Sequence, residues 1–250
     1  MSGRLGLAVS LVLVLSSAVP ALGKPVNRTH GAKTWTWSFA ADTLGLPPAN
    51  TATFGGIWEV AVDSSRASGP GGAPRVALAS SADSTAVAES VAAAVQIPPA
   101  PRVLRQRESD DGIRFHYIQF KKPALEDQAV SVRFRILSGE IDPTAGVMFQ
   151  IDPKGRNGYV VRVSGESNQL IVHYLIYGKR RDLRFAKIAP LQPGTWHTLS
   201  VERKGSIMAV SYDGEERIRL RDERYSGGSV GLWTEDDTVV EFEQLAVSKR

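Results

Sequence analysis

From Trp35 onward the chain alternates apolar and polar residues at period 2, and this pattern limits its folding more than any other feature. Residues 57–62 (Ile-Trp-Glu-Val-Ala-Val) form the first strong strand segment, with Gly55 and Gly56 before it and Asp63 after it. Further strand segments cover residues 116–120, 130–137, 146–151, 159–163, 170–177, 183–188, 196–202, 207–212, 230–233 and 239–247. Turn chemistry separates them: Asn157 with Gly158, Ser164 with Gly165, Gly178, Asp213 with Gly214, and Gly227 with Gly228. Many short strands at a spacing of about 8–12 residues predict an all-β sandwich of two antiparallel sheets.

Composition narrows the function classes. Hydrophobic residues at 42% and charged residues at 22% are those of a globular protein, not a disordered or fibrous one. The chain has no cysteine, which excludes disulfides, thiolate metal sites and cysteine nucleophiles. Arg4, an apolar run over residues 5–15 and the small residues Ala21 and Gly23 predict a Sec-type signal peptide over residues 1–23. Ser16, Ser17 and Pro20 interrupt the run short of the ~20 residues a membrane span needs. The expectation is therefore export to a periplasm, the medium or a cell surface, with no stable membrane span after cleavage. Asn27-Arg28-Thr29 is an N-glycosylation sequon, relevant only in a eukaryotic secretory pathway.

Removing residues 1–23 leaves 29 basic residues against 26 acidic ones. The runs Lys121-Lys122 and Lys179-Arg180-Arg181 are too short to track a nucleic-acid backbone, so no nucleic-acid partner is expected. A solvated strand end explains them equally simply. Residues 79–101 break the strand rhythm: they are rich in Ala, Ser and Val and close on Pro98, Pro99 and Pro101. We expect an insertion there, either a short helix capped by Asp83 or Ser84 or an irregular loop. The organisation is then a signal peptide (1–23), a linker (24–34) and one sandwich domain (35–250) with an insertion at about 79–101.

Motifs for catalysis are weak. Glu140-Ile141-Asp142 spaces two carboxylates as some retaining glycosidases do, but Pro143 follows and no further Glu completes the set, which predicts a turn. Gly227-Gly-Ser-Val-Gly231 matches a nucleophile elbow in letters but leads into a strand instead of a helix. His30, His116, His173 and His197 lack metal-ligand spacing. The acid pairs Asp110-Asp111 and Asp236-Asp237 are of a kind used in calcium loops without the full ligand ladder, so no cofactor is expected.

Strand alternation sorts the remaining polar residues by face. Val130, Val132, Phe134 and Ile136 should face the core, turning Arg133 and Arg135 outward. Arg162 turns outward between Val161 and Val163. Leu170, Val172, Tyr174 and Ile176 read as core, which places His173 and Tyr177 outside, and Glu202 and Glu241 are expected to be exposed. If these strands are neighbours, Arg133, Arg135, Arg162 and His173 form a candidate carbohydrate-binding surface, because guanidinium forks suit vicinal hydroxyls or a carboxylate. A solvated face with cross-strand charge pairs is the alternative.

Several segments carry a family resemblance. They are residues 39–45 (Phe-Ala-Ala-Asp-Thr-Leu-Gly), Trp58-Glu-Val60, Pro101-Arg-Val-Leu104, Ala145-Gly-Val147, residues 157–162, Gly178-Lys-Arg180, residues 193–199 (Pro-Gly-Thr-Trp-His-Thr-Leu), Asp213-Gly214 and residues 230–234 (Val-Gly-Leu-Trp-Thr) before Val240-Glu-Phe242. In this order they resemble the exported 3-keto-disaccharide hydrolase-like family of concanavalin A-like lectin/glucanase jelly-roll sandwiches, over about residues 35–248. Ala41, where an acidic residue often stands, and the 79–101 insertion depart from that pattern. The resemblance implies a carbohydrate-recognition or carbohydrate-processing domain whose partner is a sugar or an oxidised sugar. It leaves open a 3-keto-glycoside hydrolase or lyase, and a non-catalytic structural module of the cell envelope.

Overall fold

The computed structural model describes residues 33–63, 65, 101–107 and 115–250. The expected signal peptide, His30, all of the expected 79–101 insertion except Pro101, and Asp110-Asp111 lie outside those residues. Among the described residues the chain forms strands β1 (Thr34–Trp37), β2 (Thr51–Phe54), β3 (Trp58–Val62), β4 (Arg102–Gln106), β5 (Phe115–Leu125), β6 (Gln128–Ser138), β7 (Thr144–Ile151) and β8 (Gly158–Ser164). These are followed by β9 (Gln169–Ile176), β10 (Lys179–Lys187), β11 (His197–Lys204), β12 (Ile207–Tyr212), β13 (Glu215–Arg221), β14 (Gly228–Glu235) and β15 (Val239–Lys249). Each strand segment expected from the alternation is present.

The strands divide into two antiparallel sheets. The first runs β13-β12-β11-β6-β15-β4-β3, with β1 pairing the far end of β15. The second runs β10-β9-β8-β7-β14-β5-β2. Their inner faces make one core, in which Val130, Val132 and Phe134 of the first sheet meet the cluster of Val147, Tyr159, Val161, Val172 and Leu232 from the second. Each such fully buried side chain contributes about 1.5–3 kcal/mol to stability. Trp37 of β1 and Phe120 of β5 link the sheets with ring centroids 5.1 Å apart.

Turn residues set the registers. Tyr177 and Gly178 both have positive φ and join Ile176 directly to Lys179. Asp213 and Gly214 do the same between Tyr212 and Glu215. Positive φ at both central residues gives the primed two-residue hairpin whose twist suits the flanking strands. Tyr177 therefore belongs to a turn instead of a strand, and Ile176 beside it is exposed where the alternation placed it in the core.

Candidate functional site

The outer face of the first sheet divides into two halves by side-chain size. In one half the cross-strand partners are short. Ser211 of β12 pairs with Ser200 of β11, which pairs with Ser131 of β6, which pairs with Ala246 of β15. The next row on that face is Ala209, Glu202, Ala129 and Ser248. Small side chains leave the sheet surface low, and a trough of about 590 Å³ lies over them. Glu216 and Arg219 of β13 bound it at one end, Lys204, Ile207 and Arg250 along one side. From β13 to β15 the floor crosses five strands, about 19 Å at the usual strand spacing.

The rim is charged and internally paired. Arg250 Nη2 lies 3.2 Å from Glu202 Oε2. Arg219 donates to both oxygens of Glu216, which holds that carboxyl below its usual pKa range. The hydroxyls of Ser131, Ser200 and Ser211, by contrast, make no hydrogen bond within the protein among the described residues. They are donors and acceptors open to a ligand.

In the other half of the same face, long charged residues replace the small ones. Arg133 pairs across strands with Glu243 and Thr198. One step further along β6, Arg135 pairs with Glu241, Glu241 with Arg105, and Arg105 with Glu59. Glu241 is fully buried and accepts from the guanidiniums of both Arg105 and Arg135, while Arg135 also reaches Asp63 Oδ1 at 2.5 Å. Burial raises the Asp63 carboxyl, but hydrogen bonds from Ser65 and the charge of Arg135 outweigh it and leave the pKa lowered. Trp196 sits against both arginines, its ring centroid 4.8 Å from the Arg133 guanidinium and 4.6 Å from that of Arg135.

Arg162 and His173 lie elsewhere, on the outer face of the second sheet. Arg162 Nη1 donates to Asp142 Oδ2 at 2.8 Å and to Thr144 Oγ1 at 3.1 Å, and its Nε lies 3.0 Å from both His173 Nε2 and Glu235 Oε1. Glu235 also accepts from the Trp233 indole, and both of its carboxylate oxygens accept from Arg180 Nη1. Ser164 supplies Asp142 with another hydrogen bond. Beside this network is a second apolar cluster of Met148, Ile151, Val160, Leu175 and Trp233, flanked by Phe115 and Tyr117. The loop of residues 152–157 folds back toward it: Tyr117 donates to the Gly155 carbonyl at 3.1 Å, and Gly155 lies against the Phe54 ring.

Alternation assigned the faces of all four predicted site residues correctly, yet outward does not mean solvated. Arg135, Arg162 and His173 are 3%, 5% and 1% exposed, and Glu241 is buried where exposure was expected. They also fall into two clusters on opposite sheets, Arg133 with Arg135 and Arg162 with His173, so they do not converge on one surface. Arg133 alone of the four keeps an open side chain, 38% exposed. Glu202 is exposed as expected. The serine floor of the trough escaped the sequence reading. Its signal was a small residue at the outward position of three strands, at Ser131, Ser200 and Ser211, but only the sheet order makes them neighbours.

The weak motifs resolve into structure. Residues 140–143 form the bend between β6 and β7, where the backbone N–H groups of Glu140 and Ile141 donate to Asp237. Ser229 is buried within β14 and accepts from Gln119. Among the described residues, no three His, Asp or Glu side chains converge to hold a metal ion. No helix among them is long and apolar enough to cross a membrane.

No protein-family profile matches the sequence, and no curated protein matches it significantly. Solved structures resemble it in fold. The carbohydrate-binding module CBM66 from Bacillus subtilis superposes with a TM-score of 0.53 at 18% identity, covering 58% of this chain and 86% of its own. The exoplasmic/lumenal domain of VIP36, in its Ca²⁺/Man3GlcNAc-bound form, reaches 0.48 at 13% identity, covering 59% and 78%. A Bacillus subtilis protein of unknown function with a galectin-like fold reaches 0.46 at 10%, covering 59% and 82%. The likeness to the first supports a β-sandwich fold, and it is a likeness of fold alone. The narrower resemblance to 3-keto-disaccharide hydrolases has no profile match behind it.

Proposed function

We propose that the protein is an exported carbohydrate-binding β-sandwich and that a glycan chain lies in the trough of the first sheet. The observation that carries this reading is a floor built mainly of Ser and Ala side chains below a charged rim. A sugar ring has apolar C–H faces and a hydroxyl edge. Ala129, Ala209, Ala246 and Ile207 supply apolar surface, while the free hydroxyls of Ser131, Ser200 and Ser211 meet the edges. Glu202 on the floor and the rim groups Arg219 and Arg250 are planar and suited to paired hydroxyls. The volume falls within the ordinary range for ligand sites. Arg133, beside the floor on β6, is the residue among the four expected ones that a glycan would reach, whereas Arg135, Arg162 and His173 hold the framework.

Filling the floor tests this reading. Ser200→Trp and Ser131→Tyr place bulk in the trough without touching the core, so thermal unfolding should stay near that of the wild type. Binding to any neutral oligosaccharide identified in a glycan screen should be abolished by both. Binding that survives both substitutions places the site elsewhere. Incubation with a 3-keto-glycoside separates binding from hydrolysis or elimination, since product release would make the protein an enzyme.

A further inference from the structure

The β9–β10 hairpin carries a feature that the trough does not use. Residues 176–188 contain five basic residues, Lys179, Arg180, Arg181, Arg184 and Lys187, and one acidic residue, Asp182. Their net charge of +4 equals the formal charge of the whole chain, so the remainder is balanced. Five of the 30 basic residues and one of the 26 acidic ones lie here, so these thirteen residues carry a net excess equal to that of the whole chain.

Geometry then spreads that charge along a line. β10 is the edge strand of its sheet and pairs only with β9. Arg180 is bound to Glu235, but among the described residues Lys179, Arg181, Arg184 and Lys187 pair with no carboxylate. All four are exposed. From Lys179 to Lys187 the strand extends about 26 Å. Pairing register turns Lys179, Arg181 and Arg184 toward the rim between the sheets, while Phe185 and Lys187 lie on the outer face of the second sheet. Phe185 is 64% exposed, and Tyr177 at the hairpin turn is 71% exposed.

We propose that this edge is a second binding surface, for a linear acidic polysaccharide carrying carboxylate or sulfate groups. A row of unneutralised cations on an extended edge complements a chain with anions at intervals, and exposed rings offer stacking surface to its sugar faces. The arrangement fits a membrane surface less well. Phe185 and Tyr177 are eight residues apart along the hairpin, so the exposed rings form no single apolar tip for insertion. Edge-strand cations also prevent strand-to-strand aggregation, and the test must separate that role from binding.

The experiment compares the wild type with the quadruple variant Lys179→Gln, Arg181→Gln, Arg184→Gln and Lys187→Gln. Ligands are dextran sulfate, polygalacturonate, uncharged dextran and phosphatidylglycerol vesicles. The wild type should bind the two acidic polysaccharides, more weakly as salt rises, and the variant should bind them about tenfold more weakly or worse. Ser200→Trp should bind them as the wild type does, which keeps this surface distinct from the trough. Equal binding by wild type and variant overturns the proposal, as does binding to vesicles in preference to the polysaccharides. Absence of polyanion binding together with aggregation of the variant in light scattering assigns the cations to edge protection and overturns it too. Failure of neutral-glycan binding alone would count against the trough and leave this surface standing.

Discussion

The Nε–H of Arg162 donates to Nε2 of His173 across 3.0 Å, and this one hydrogen bond fixes the state of the imidazole. A guanidinium has no acceptor and does not lose its proton in proteins. His173 Nε2 must therefore be the unprotonated nitrogen. Nδ1 carries the proton and donates to Asp182 Oδ1 at 2.7 Å. The ring is neutral and spans a buried arginine and an exposed aspartate.

Stability should therefore depend on pH through His173. Burial, then the charges of Arg162 and Arg180, push its pKa from 6.5 down to about 4, against the pull of Asp182. As the pH falls below 6.5 the unfolded imidazole takes up a proton and the folded one does not. The unfolded state then binds more protons, so stability falls between about pH 6.5 and pH 4 and this contribution flattens below. The full effect is about 3 kcal/mol. His173→Gln retains an acceptor and a donor and should remove that slope, measured as the difference between the two proteins' urea midpoints across pH. Parallel curves would mean that the folded imidazole is not held neutral.

Arg162→Ala should destabilise the protein by about 3–5 kcal/mol, because it leaves the buried carboxylates of Asp142 and Glu235 short of a cation. Face assignment alone would have predicted tolerance. Urea unfolding gives the answer through a lowered midpoint at constant slope. A loss below about 1 kcal/mol, the size expected of an exposed pair, would show that solvent reaches this face.

Gly146 controls how closely β7 approaches β8 beneath Arg162. A Cβ at that position would lie 2.5 Å from the Val161 carbonyl oxygen and 2.9 Å from Arg162 Cβ. Backbone cannot give way as a flexible side chain does, so Gly146→Ala should cost about 1–3 kcal/mol as overpacking. Thermal unfolding checks it, and an unchanged midpoint would contradict this spacing.

The core strands were legible because period-2 alternation is a local signal: Val130, Val132, Phe134 and Ile136 sit inside as the pattern requires. β13 was missed for the same reason, since Glu215–Arg221 is charged at five of seven positions and buries only Ile218 fully. Face was legible, but solvation was not. Whether an outward arginine is wet depends on what partners long-range pairing places beside it, as Glu235 and Asp142 are placed beside Arg162. The trough was illegible for a related reason. Ser131 and Ser200 are 69 positions apart, and only the β6–β11 pairing makes them one floor.

Arg133 and Arg135 occupy the same strand and the same face, two residues apart, yet they should respond in opposite ways to truncation. Arg135 is buried between Glu241 and Asp63, so Arg135→Ala removes a cation from two desolvated carboxylates and should cost about 3–5 kcal/mol. Arg133 pairs with Glu243 in contact with solvent, where screening limits a pair to about 1 kcal/mol or less. Arg133→Ala should therefore leave unfolding almost unchanged. It should nevertheless weaken glycan binding, because Arg133 stands one step along β6 from Ser131, with the Trp196 ring against its guanidinium. Arg133→Lys should restore little of that binding, since an ammonium lacks the planar fork and its stacking geometry. Titration calorimetry on folded protein, with the unfolding midpoint measured in parallel, reads both effects. Glycan affinity unchanged in Arg133→Ala would remove Arg133 from the site and confine the ligand to the trough itself.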